Sequence, residues 1–230
     1  MNAGLFVTGT DTGVGKTLAT CALVHALRAK GLRVAPMKPV AAGAGEPVGQ
    51  GANADTIALA EAAGPDAPSY GEITPVLLRD PLAPHIAAAR EGRAIALTPL
   101  VEAYRALDRR WDFTVVEGVG GFRVPLARDL DAADLAAALG LPVVLVVGLR
   151  LGCLNHALLT AESIARARLP LAGWIANAVD PSMTAADKNV AALAERLGAP
   201  LIGRFPFVRN ADPREFAARL DVSAFAKTRA

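Results

Sequence analysis

Gly9-Thr10-Asp11-Thr12-Gly13-Val14-Gly15-Lys16-Thr17 stands between the apolar run Leu5-Phe6-Val7 and the segment Leu18-Ala19-Thr20-Cys21-Ala22-Leu23-Val24-His25-Ala26-Leu27. The first run reads as a buried strand, the second segment as a helix. A strand, a glycine-rich loop ending in Gly-Lys-Thr, and a helix make a setting in which backbone N–H groups face one point. The helix N-terminus adds positive potential there. Gly13, Val14 and Gly15 form the cradle, Lys16 reaches the outer phosphates, and the Thr17 hydroxyl holds Mg²⁺. The stretch therefore points to a nucleoside triphosphate. Its spacing departs from the usual pattern: counting back from Lys16, the first glycine belongs at Thr10, and Gly9 comes one residue early.

The chain has 230 residues, which suits one α/β domain over its whole length with a large core. A formal net charge of +2 carries no footprint for nucleic acid or an acidic membrane. Two cysteines, Cys21 and Cys153, are too few for a disulfide framework and fit a reduced, cytoplasmic setting. No basic segment followed by an apolar stretch opens the chain, so no signal peptide is expected. The longest apolar run, Leu141 to Leu149, is too short to span a bilayer and reads as a buried parallel strand. There are 19 arginines against five lysines. In such a chain, a lysine kept at a special place suggests a need for a compact ammonium. Lys16 and Lys38 stand at such places; Lys30, Lys188 and Lys227 do not.

Apolar runs alternate with helical patterns throughout. Strands are expected at Leu5–Thr8, Val34–Met37, Phe113–Val116, Val143–Val147, Leu171–Ala176 and Leu201–Gly203. Helices are expected at Thr17–Ala29, Thr56–Ala63, Pro81–Glu91, Thr98–Arg109, Ala132–Leu139, Asn155–Arg168 and Ala185–Leu197. Continuously apolar strands separated by helices imply a mostly parallel sheet with helices on both faces. Ligands then sit at the carboxyl ends of the strands. The glycine-rich stretch Gly43–Asn53 reads as a loop, either a plain connection or a cover for a substrate.

Lys38 follows the second strand, which is expected to neighbour the first, and so lies near the phosphate loop. A lysine there stabilises a transferring phosphoryl group or a substrate carboxylate. Asp55 opens a helix and reads first as its N-cap. Glu117 ends an apolar strand and precedes Gly118-Val119-Gly120-Gly121, as in the second acidic motif of phosphate-loop proteins, where the carboxylate binds Mg²⁺ directly or through water. A buried carboxylate there requires a cation. Asn155 reads as a helix cap whose neighbouring N–H groups suit a carboxylate. Cys153 has no identifiable catalytic partner, and His25, His85 and His156 lack metal-ligand spacing.

Together these segments resemble the dethiobiotin synthetase family. The resemblance runs along nearly the whole chain: Phe6–Thr12 through Lys16-Thr17, Lys38-Pro39-Val40-Ala41, Pro84-His85-Ile86, Val116-Glu117-Gly118 with Gly120-Gly121, Pro142-Val143 to Val147-Gly148, Leu151-Gly152-Cys153 with Asn155-His156-Ala157, and Leu171–Trp174 with Ala176-Asn177. The phosphate loop alone is shared with related ATPases; the segments at Lys38 and Leu151–Ala157 are the diagnostic ones. The family's loop is one residue longer than the usual pattern, which matches Gly9.

The resemblance implies a P-loop NTPase fold and an ATP- and Mg²⁺-dependent cyclo-ligase of biotin biosynthesis. Such an enzyme joins CO2 to 7,8-diaminononanoate through a carbamate and a carbamic-phosphoric mixed anhydride. It implies Lys16, Lys38 and Thr12 at the reacting groups, and Thr17, Asp55 and Glu117 around Mg²⁺. Asn177 would meet the adenine, with Pro206 and Phe207 near the nucleoside, and Gly118, Val119 and Gly120 would lie along nucleotide and substrate. Ala42 would line the substrate site. Leu151, Gly152 and Asn155 would receive the substrate carboxylate across a homodimer interface. The chain departs from the family pattern at Ala42, where serine is common, at Ala178, where aspartate is common, and at Val119, where alanine is common.

Three other readings meet obstacles. A dimeric ATPase switch needs an extra lysine early in the loop, where Thr10 and Asp11 stand. A cobyrinate-type amidotransferase needs a glutamine-hydrolysing domain. An inactive nucleotide-binding module fits poorly with the intact set Lys16, Thr17, Lys38, Asp55 and Glu117.

Overall fold

The computed structural model describes residues 3–44 and 52–226. Most of the Gly43–Asn53 loop, and Lys227, lie outside the described residues. The strands are β1 (Ala3–Gly9), β2 (Val34–Met37), β3 (Val40–Ala42), β4 (Val76–Leu78), β5 (Phe113–Gly121), β6 (Pro125–Ala127), β7 (Leu130–Asp131), β8 (Val143–Leu149), β9 (Leu171–Ala178) and β10 (Leu201–Phe205). The helices are α1 (Lys16–Arg28), α2 (Ala54–Ala63), α3 (Tyr70–Ile73), α4 (Pro84–Arg90), α5 (Leu97–Asp108), α6 (Ala132–Leu139), α7 (Cys153–Arg166), α8 (Ala186–Arg196) and α9 (Pro213–Ala217).

The six strands expected from the apolar runs form one parallel sheet in the order β10-β9-β8-β1-β5-β2. One expectation is corrected. β2 does not neighbour β1, because β5 lies between them and pairs with both. Composition accounts for this: β5 carries a run buried on both faces, whereas β2 is short and contains Pro36. Proline lacks the N–H needed for pairing on two sides and suits an edge strand.

Alternation along the strands sorts the core into two layers. Leu5, Val7, Val34, Phe113, Val115, Val144, Val146, Ile175 and Ile202 pack with α1, α2 and α9. Phe6, Ala35, Met37, Val116 and Val143 pack toward α5 and α6, and Leu145, Val147, Trp174 and Ala176 pack against α7 and α8. The continuous apolar runs are needed because both faces are covered.

Four local expectations change. α2 is capped by Asn53, whose Oδ1 accepts from Thr56 N–H at 2.9 Å, so Asp55 is not the cap. α4 begins at Pro84, because proline restricts Ala83 to an extended conformation and itself suits the first helical turn. This leaves Pro81–Ala83 as loop. α7 begins at Cys153 after Gly152, a left-handed residue with φ 94°, so Asn155 lies inside the first turn rather than capping it. The pairs β3–β4 and β6–β7 and the helices α3 and α9 were not expected; each element is too short to show a period.

α9 is the consequential addition. Asp212 caps it and Pro213 opens it. Its Phe216 meets Phe205 edge to face, ring centroids 4.7 Å apart, beneath α1. Phe216→Ala should reduce stability by about 3–5 kcal/mol, as expected for emptying a buried aromatic site. Urea unfolding checks this; a loss within 0.5 kcal/mol, roughly that of a surface change, would refute the docking of α9.

Candidate active site

The sheet's alternation aims the chemistry. Glu117 follows Val115 on the face covered by α1, and Asn177 follows Ile175 on the same face. Asn177 stands near the carboxyl end of β9. Glu117, expected to end its strand, is instead the middle residue of β5, because the glycines after it continue the strand to Gly121. Lys38 is the residue after β2. The phosphate loop joins β1 to α1 above them, so one loop, two strand ends and the start of α2 converge.

Lys38 is only 6% exposed and Glu117 0%. Lys38 Nζ donates to Glu117 Oε1 at 2.7 Å and also to Asp55 Oδ2. The Thr17 hydroxyl lies 3.0 Å from Asp55 Oδ1 and 3.0 Å from Glu117 Oε1. One hydroxyl carries one proton, so it cannot satisfy both carboxylates fully. Glu117 Oε2 is buried without a hydrogen-bond partner. Two hard oxygen donors, a hydroxyl and an orphaned carboxylate oxygen fit a small divalent cation such as Mg²⁺. Among the described residues no group of three or more His, Cys, Asp and Glu side chains could hold a metal ion.

Burial pulls the Lys38 ammonium toward neutrality, but the charges and hydrogen bonds of Glu117 and Asp55 overcome this and raise its pKa. Lys38 is thus held as a cation. Lys16 differs: burial lowers its pKa, Lys38 lowers it further, and Glu117 with Asp55 only partly opposes them. Burial likewise pulls Asp55 upward, yet the charge and hydrogen bond of Lys38, with the Thr17 hydrogen bond, bring its carboxyl below the ordinary value. Cys21, buried one turn after Thr17, is pushed up to about 12, chiefly by desolvation, and is no nucleophile.

The loop is held at several points. Lys16 Nζ donates to the Asp11 carbonyl oxygen at 2.9 Å, and Arg150 pairs with the Asp11 carboxylate. Val14 is buried, and its carbonyl oxygen accepts from Asn177 Nδ2 at 2.8 Å. Gly13 and Gly15 have φ of 74° and 86°, values that need glycine. Arg150 went unnoticed in the sequence because a lone arginine after a strand carries no pattern.

A cavity of about 790 Å³ collects Thr12, Gly13, Gly15, Lys16, Thr17, Lys38, Ala42, Asp55, Glu117, Val119 and Gly120. Pro81–Pro84 and Val124 complete its wall; reading a helix from Pro81 had hidden the first of these. Gly118 stands outside this wall: it is buried against Phe6, whose ring would lie 3.1 Å from an added Cβ. Pro206 and Phe207 are exposed just past β10. A second cleft, about 450 Å³, opens beside Thr17 between α1, α2 and residues Ala211–Arg214. Leu151 is 96% exposed, and Gly152 and Asn155 are exposed with it, outside the cavity of their own chain.

A family model described as AAA domain (AAA_26) matches residues 3–215. The chain is 52% identical over 215 residues to a protein of Aromatoleum aromaticum (strain DSM 19018 / LMG 30748 / EbN1) named ATP-dependent dethiobiotin synthetase BioD, covering 94% of this chain and 95% of that one. The chain belongs to the dethiobiotin synthetase family. Two solved structures share the fold with this synthetase-family chain at low identity. They are the cell division ATPase MinD of Pyrococcus furiosus (TM-score 0.55, 15% identity, 95% of this chain and 96% of that one) and a ParA family ATPase from Chlorobium tepidum TLS (TM-score 0.53, 14% identity, 99% and 95%).

The depressed Asp55 carboxyl makes a prediction with a definite sign. Its contribution to stability is present above the unfolded-state pKa, about 3.9, and is lost as pH falls through the lower folded-state pKa. Native protein should therefore exceed Asp55→Asn in stability at pH 7, and the gap should shrink below pH ~4. Urea unfolding at both pH values measures it; a gap that widens on acidification would refute the assignment.

Proposed function

We propose that this chain is an ATP- and Mg²⁺-dependent ligase of biotin biosynthesis that closes the cyclic urea of dethiobiotin from 7,8-diaminononanoate and CO2. The observation that carries the reading is Lys38, a buried cation set against Thr17, Asp55 and Glu117 in one cavity with Lys16. Membership in the dethiobiotin synthetase family supports the substrate assignment.

The chemistry proceeds in three steps. One amine of the diamine bonds the carbon of CO2 and loses a proton, giving a carbamate. A carbamate oxygen takes the γ-phosphoryl group of ATP, and ADP leaves. The second amine attacks the carbonyl carbon of this mixed anhydride, its proton passes to solvent, and phosphate departs as the ring closes. A carbamate is a poor electrophile until phosphorylated; afterwards ring closure needs mainly positioning and charge stabilisation.

Lys16 serves the outer phosphates, and Lys38 serves the carbamate and the transferring group, with Thr12 beside them. Lys38 acts as a fixed cation rather than a base, because its carboxylate neighbours keep it protonated. Thr17, Asp55 and Glu117 would hold Mg²⁺, which supplies positive charge to the phosphates when bound. Val119 and Gly120 would lie along nucleotide and diamine, with Ala42 on the diamine side, and Gly118 would back them against Phe6.

Asn177 would meet the base, and Pro206 and Phe207 the nucleoside. Leu151, Gly152 and Asn155 would receive the substrate carboxylate of a partner protomer. The exposure of Leu151 and of Leu159 on α7 is in keeping with a homodimer. No nucleic-acid or membrane partner enters this reading. Two free cysteines fit a cytoplasmic enzyme.

Purified protein with Mg-ATP, bicarbonate and 7,8-diaminononanoate tests this. ADP should form one-for-one with dethiobiotin, and only with the diamine present. ADP release that is indifferent to the diamine, or stimulated instead by DNA or lipid, would point to an ATPase switch. Lys38→Ala should slow ring closure by ~100-fold or more, on the scale of losing a preorganised charge at the reacting centre. Calorimetric titration should find its ATP affinity largely intact. A loss of ATP binding equal to that of Lys16→Ala would remove Lys38 from the role given.

A further inference from the structure

Asn177 faces the phosphate loop as well as any nucleoside. It is 5% exposed, and its Nδ2 donates to the Val14 carbonyl oxygen at 2.8 Å. A carbonyl can only accept, so the partner settles which end of the amide points there. The amide lies close along the loop: a Cβ added at Gly15 would fall 2.2 Å from Nδ2.

The Val14 side chain is held as well. A Cβ added at Gly9 would stand 2.6 Å from one of its methyl carbons, and one at Gly148 2.7 Å from the other. Gly148 and Asn177 are partners in the β8–β9 register. The ends of β1 and β8 thus supply the socket for the Val14 side chain, and the end of β9 beside them supplies the donor for its carbonyl.

The Val14 carbonyl and the Gly15 N–H belong to one peptide unit. It is planar and trans, so the two bonds point in opposite directions. Fixing the carbonyl toward Asn177 fixes the N–H pointing away from it, and Gly13, Gly15 and Lys16, the residues around that N–H, line the cavity.

We propose that Asn177 is a positioning residue for the triphosphate chain: by holding the Val14 carbonyl, it aims the Gly15 N–H into the phosphate cradle. This rests on the nucleotide reading above and goes beyond a contact with the base. Nucleotide affinity then depends on Asn177 even when no base is present.

The test titrates the whole chain by calorimetry with Mg-ATP and with Mg-tripolyphosphate, which has no base. Asn177→Ala removes the side chain; Asn177→Leu keeps its approximate size without adding charge and removes the donor. Both should bind tripolyphosphate roughly three- to tenfold more weakly than native protein, the range for losing one hydrogen bond. The KM for the diamine should stay within about twofold.

Tripolyphosphate affinity unchanged in both variants, with ATP alone weakened, would overturn the proposal and leave Asn177 a base contact. A loss confined to Asn177→Ala, with native affinity in Asn177→Leu, would also overturn it, since the missing donor would not be the cause. Native protein that binds neither ligand would overturn the nucleotide reading itself, and that outcome requires no variant.

Discussion

A carboxylate with no access to water organises this molecule. Glu117 is wholly buried in the middle of a central strand, and an isolated charge there would be untenable. Lys38 answers it from the edge strand, Thr17 from the phosphate loop, and Asp55 joins from α2 through the same lysine. Three segments far apart in sequence are tied at one point. The arrangement also leaves chemistry unfinished, because one Glu117 oxygen has no partner and one hydroxyl proton is shared between two carboxylates. A site stabilised by a lysine and still short of positive charge is suited to receive a cation together with phosphate.

The two lysines of the site show how environment divides roles between like side chains. Both are buried, so desolvation opposes charge on each. Lys38 lies within hydrogen-bond reach of two carboxylates and has its pKa raised. Lys16 has as its hydrogen-bond acceptor a loop carbonyl rather than a carboxylate, and its pKa is lowered. The loop itself is braced by Val14 in its apolar socket and by Arg150 on Asp11, so its curvature does not depend on glycine freedom alone.

Much of this was visible in the chain. The six apolar runs became the six strands of the main sheet, because burial on both faces requires continuous hydrophobicity. The loop at Gly9–Thr17 and the carboxylate at Glu117 were legible because their chemistry sits in fixed local settings. Asp55 was harder: standing at the start of a helix it resembled a cap, and only the structure gave that task to Asn53. Pro81–Ala83 was hidden because a proline three residues before a helix reads as part of it. α9 was missed because five residues show no period, although Asp212-Pro213 did mark its start.

The sequence by itself determined the elements that depend on neighbours along the chain: the buried strands, the helices with apolar faces, and the glycines that allow the phosphate loop to curl. Resemblance across the whole chain added the family. Tertiary structure decided what depends on neighbours in space. It placed β5 between β1 and β2, since a short strand with Pro36 can pair on one side only. It brought Lys38, Asp55 and Glu117 within hydrogen-bonding distance, and it set the Asn177 amide against Val14 across 163 positions of sequence. No local pattern encodes such meetings, because they arise from strand order and from which face of the sheet each side chain takes.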